Sequence, residues 1–69
     1  MIAGFSLILA SSVGERDGMA LELTRVDGER IAEVFEDDET GARTFTVFGE
    51  QQVPIAAIEW LLSEARTRL

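Results

Sequence analysis

The stretch MALELTRVDGERIAEVFED, residues 19–37, decides how this chain folds. In its first half Met19, Leu21 and Leu23 fall on one side, with Glu22 and Thr24 on the other, and a period of two marks a strand. Asp27-Gly28 then supplies the strongest short hairpin signal, because glycine accepts a positive φ. The return strand blurs the pattern, since Val34 and Phe35 are adjacent and both apolar. A β-bulge, or a strand covered on both faces, would account for that.

The same reading extends outward in both directions. Upstream, Ala3, Phe5, Leu7 and Leu9 share a face, and SSVGERDG (residues 11–18) is polar enough to be a loop. Downstream, EDDETG (residues 36–41) reads as a turn, and RTFTVF (residues 43–48) alternates again. Pro54 suits the first position of a helix, where its missing N–H is no loss. Ile58, Leu62, Ala65 and Leu69 then recur at helical spacing, flanked by Ile55 and Leu61. Arg66 and Arg68 complement the dipole in the last turn. The expectation is one α+β domain over residues 1–69: a four-stranded antiparallel β-meander with one C-terminal helix packed on it. Strands are placed at about 2–10, 19–26, 30–37 and 43–48, and the helix at about 54–68. Phe5, Phe35, Phe45 and Phe48 are expected to build the core of the sheet.

Chain length limits how stable such a domain can be. With 69 residues and no cysteine or histidine, it has neither disulfides nor the usual zinc, copper or iron ligands to support a small core. Self-association is the remaining remedy. The first two turns of the helix, IAAIEWLL, are apolar almost all round. Trp60 projects opposite the expected stripe among the small residues Ala56, Ser63 and Thr67, the pattern of an interface anchor. Pairing of the first strand across two chains would bury Phe5 and Leu7 and hide an apolar edge. A homodimer is therefore expected, with the alternative that Trp60 folds against its own N-terminal strand or a loop.

Thirteen acids against six bases, all arginine, leave a formal charge of −7. Such a surface repels phosphate backbones and anionic membranes and favours a partner protein that is basic. The N-terminal apolar run lacks a basic leader and falls short of the roughly 20 residues that span a bilayer, so a cytoplasmic location is expected.

Chemistry is sparsely represented. Ser6, Ser11, Ser12 and Ser63 have no histidine or lysine to activate them, and no nucleophile elbow, phosphate loop or dinucleotide fingerprint occurs. Glu36, Asp37, Asp38 and Glu39 are contiguous, so on an extended chain they diverge, unlike the spaced ligands of a calcium loop. They leave room for no more than weak divalent binding. As a turn the segment works: Asp37 or Asp38 can accept backbone hydrogen bonds, Gly41 supplies the positive φ, and Arg43 offsets local repulsion. Neither an enzyme nor a cofactor is expected. The reading is a small acidic interaction module, such as an inhibitor, immunity or accessory protein, or a structural or regulatory protein whose partner is itself.

In element order, four strands followed by VPIAAIEWLLSEA, the chain resembles the PC4-like single-stranded DNA-binding proteins, which carry a tryptophan on a C-terminal dimerising helix. The resemblance implies a dimer and a nucleic-acid face built from Arg16, Arg25, Arg30 and Arg43. It departs from that pattern in charge, because a single-strand groove is basic and lined with stacking aromatics.

Overall fold

The computed structural model describes residues 2–11 and 17–69, so the expected loop at 11–18 and Arg16 lie largely outside it. Four strands and a helix follow in sequence: β1 (Phe5–Ser11), β2 (Gly18–Arg25), β3 (Arg30–Asp37), β4 (Arg43–Val47) and α1 (Ile55–Arg68). The strands form one antiparallel sheet in the order β1-β2-β3-β4. The expected α+β meander is the observed fold, and α1 lies on one of its faces. β1 starts later than expected because Ala3 and Gly4 turn, with Gly4 at φ 85° and the Phe5 amide bonded to the Ile2 carbonyl at 3.2 Å.

Register divides the side chains between the two faces. Leu7, Leu23, Ala32 and Val47 form one row, and Leu9, Leu21, Val34 and Phe45 the next. Leu21, Leu23, Ala32 and Val34 from these rows pack with Ala57, Leu61 and Ala65 in the core. On the opposite face run Ile8, Glu22, Glu33 and Thr46, then Ala10, Ala20, Phe35 and Thr44.

The blurred alternation of β3 has two separate causes. Leu23 pairs with Ala32 but Thr24 with Arg30, so Ile31 is the extra residue of a bulge and turns fully into the core. Val34 and Phe35 then point regularly to opposite faces. Phe35 lies across Gly18, where an added Cβ would run into the Glu36 carbonyl and the Phe35 ring. The bulge therefore sits at Ile31, not at the Val34-Phe35 pair.

Both described hairpin turns use the local chemistry read from sequence. Between β2 and β3, Asp27 Oδ1 accepts from the Glu29 amide at 2.9 Å, and Gly28 adopts φ 96°. Between β3 and β4, Asp37 Oδ1 accepts from the amides of Glu39 and Thr40 at 2.8 and 3.2 Å, with Gly41 at φ 73°. Arg43 bonds Glu36 across that turn at 2.7 Å.

The helix is rotated from its expected setting. Pro54 caps it from one position before the first turn, and the residues that become buried are Ala57, Leu61 and Ala65. Leu62, expected at the centre of the buried stripe, is 41 % exposed, and Ile55 is 75 % exposed. The physical reason is closeness of approach. Two alanines one turn to either side of Leu61 let the helix backbone settle on β2 and β3, whereas a row of Ile and Leu would hold it off. Seating Leu61 fully out of water is worth about 2 kcal/mol. Of the four phenylalanines, only Phe5 packs against this core. Phe35 and Phe48 belong to the other face, and Phe45 is 45 % exposed.

Candidate functional site

The rotation of α1 decides which surface stays open. Its buried centre is Leu61, and at 100° per residue Trp60 and Leu62 flank that centre on opposite sides. Leu62 lies on the β4 side, where it shares a groove with Phe45. Trp60 therefore lies on the flank away from β4, half-buried and packed against the core of its own chain. Ala56, Ser63 and Thr67 are exposed, and Phe5 and Leu7 are half-buried against the same core. The residues proposed from sequence as an interface thus divide between the solvent face of α1 and the margin of the core.

What sequence reasoning passed over is β4. The helix packs against β2 and β3, and all five residues of β4 remain exposed, with Phe45 at 45 % and Val47 at 39 %. Between β4 and α1 runs an open groove of about 220 Å³. Its lining is apolar at Val34, Phe45, Leu62 and Ala65 and cationic at Arg43 and Arg66. The signal lay in the helix: if Ala57 and Ala65 face the sheet, Leu62 and Ile55 cannot.

The outer edge of β4 is also open along its backbone. The Asp37 amide donates to the Ala42 carbonyl at 2.9 Å and the Phe48 amide to the Ile31 carbonyl at 2.8 Å. Because antiparallel pairing alternates, Thr44 and Thr46 bond inward to β3, while Arg43, Phe45 and Val47 aim their N–H and C=O groups away from the sheet. Edge strands are commonly guarded by lysine, proline or an inward-pointing charge. RTFTV carries one charged residue, and it is already paired with Glu36.

Of the arginines read as a nucleic-acid face, the described ones, Arg25, Arg30 and Arg43, are engaged with groups of their own chain. Arg25 lies 5.3 Å from the Phe5 ring centroid, 3.3 Å from Gln51 Oε1 and 3.5 Å from Glu29. Arg30 donates to Glu22 Oε2 at 3.1 Å and lies 4.8 Å from the Phe48 ring centroid. On that face Glu22 stands directly opposite Glu33, and both are buried. Among the described residues no cluster of three or more metal-ligating side chains occurs, and no helix is long and apolar enough to cross a membrane.

Together these features define a class: an α+β sheet with edge strands β1 and β4, covered by helix on part of one face. Compared with protein-family models, curated proteins and solved structures, the chain matches none.

Proposed function

We propose that this chain is a small acidic, non-enzymatic protein-interaction module, and that its docking surface is the β4 edge with the groove beside it. One observation carries the reading. β4 is the last strand of the sheet, so its outer backbone groups are unpaired, and the seat of α1 on β2 and β3 leaves an apolar groove beside them. Main-chain bonds along an edge supply affinity, and a pocket beside it selects side chains, which is how extended segments are recognised by sheet addition. The turn acids Asp38 and Glu39 stand at one end of this edge, while Arg66 borders the groove. A polypeptide entering along β4 thus meets negative charge at the turn and positive charge beside the groove.

Nucleic-acid binding has less support, because Arg25, Arg30 and Arg43 are occupied by acids of the chain itself. Trp60 likewise has less to offer a partner than its sequence context suggests, since its own core takes part of the indole.

Val47→Pro tests the reading. Proline there removes an outward N–H and leaves the β3 ladder intact, an edge setting in which proline is tolerated. Affinity capture from the native host with wild type and Val47→Pro as baits is expected to lose its partners with the variant. Identical captures would place the interaction elsewhere.

A further inference from the structure

We infer that the occupant of this edge is a second copy of the chain, joined β4 to β4 about a twofold axis at Phe45. The inference rests on the reading of β4 as a docking surface and adds the partner and the register. The outward-pointing residues are Arg43, Phe45 and Val47, an odd number centred on Phe45. An antiparallel copy therefore sets Phe45 against the partner's Phe45 and Arg43 against the partner's Val47. Each pair exchanges two backbone hydrogen bonds, about six in all. The contact is isologous and closes on itself, whereas β4 paired with the other free edge, β1, would propagate into a filament.

Charge leaves this surface open to self-pairing, as it does at the uncharged β1, and the groove beside β4 distinguishes the two edges. Two copies at −7 repel each other, and residues 43–49 contain no acid. The single charge on β4, Arg43, is neutralised by Glu36 at 2.7 Å and lies opposite an apolar side chain in the proposed register. On the helix side the two Phe45 rings stand as cross-strand neighbours, an arrangement that favours aromatic pairs. The partner's ring closes the open side of the groove whose wall is Leu62. On the other face Thr44 pairs with the partner's Thr46, again without charge.

Area sets the strength of the contact. The exposed parts of Phe45, Val47 and Leu62 come to roughly 200 Å² per protomer, well under the ~800 Å² of a standard interface. So small an apolar contact makes a weak, reversible dimer. Added salt strengthens it by screening the repulsion, the opposite of what salt does to a contact between unlike charges.

Sedimentation from about 1 to about 200 µM, at low and high salt, tests this on wild type and Val47→Pro. A monomer–dimer equilibrium that tightens with salt is expected, with at least a tenfold loss of affinity in Val47→Pro and an unchanged far-UV spectrum. Register is checked by single cysteines, since the chain has none of its own. Phe45→Cys is expected to form a disulfide dimer on oxidation, because paired Cα atoms there lie about 5.5 Å apart, whereas Val47→Cys is not. A monomeric wild type overturns the inference, as does a dimer indifferent to Val47→Pro or one that Val47→Cys crosslinks as well as Phe45→Cys. If wild type is monomeric but Val47→Pro still loses a captured partner, the second copy is refuted and the docking edge stands. If neither association nor capture responds to Val47→Pro, both fall.

Discussion

Replacing two adjacent leucines separates the observed helix seat from the one the sequence suggests. Leu61 is fully buried at the centre of the helix–sheet contact, between Ala57 and Ala65. Leu61→Ala loses the transfer free energy of its side chain and leaves an enclosed void, a change that costs about 3 kcal/mol within the usual range of 2–5. Leu62 keeps 41 % of its surface in water and faces an open groove, so truncation leaves no void. Its loss is about 1 kcal/mol, the buried share of the transfer term alone. A domain of this size has only about 3–5 kcal/mol to lose, so Leu61→Ala removes most of its stability and Leu62→Ala a minor part. Urea unfolding followed by Trp60 fluorescence reads the difference. Near 1 µM protein, self-association contributes little to the midpoint. With a slope of about 1 kcal/mol per molar urea, the midpoints fall by about 3 M and about 1 M. Equal shifts, or a larger one for Leu62→Ala, would refute the seat and return the buried stripe to Ile58, Leu62, Ala65 and Leu69.

Two further substitutions probe the rest of the sheet. Gly18→Ala forces a Cβ against the Glu36 carbonyl and the Phe35 ring, and thermal unfolding should register a loss of about 1–3 kcal/mol. Arg30→Ala removes the Glu22 ion pair and the Phe48 contact. Because the Arg30 side chain is 48 % exposed but that of Glu22 only 10 %, truncation leaves Glu22 beside Glu33 without its cation, and the expected loss by denaturant unfolding is about 1–3 kcal/mol.

These contrasts follow the line between what local chemistry fixes and what packing decides. The turns were legible because Asp27-Gly28 and Asp37 to Gly41 carry their own hydrogen-bond acceptors and their own positive-φ residue. Strand order followed from short connections, and the helix from Pro54 and its spacing. The rotation of α1 was not legible. Two stripes one residue apart share Ala65, and choosing the larger side chains overlooks that alanines let a helix approach a sheet more closely. The same choice misplaced Trp60, which flanks the buried centre instead of opposing it. Ile31 was hidden for a related reason, since a bulge shifts the period by one and sequence gives no sign of where. The candidate site inherits that blind spot. In sequence RTFTV is one more alternating strand, and only the seat of the helix leaves it uncovered.

Amide hydrogen exchange of the wild type at low and high protein concentration tests the β4 edge most directly. The inward amides of Thr44 and Thr46 should be protected at both concentrations, and those of Phe45 and Val47 only at the higher. Unchanged exchange at Phe45 and Val47, or concentration-dependent protection arising along β1 instead, would contradict the account.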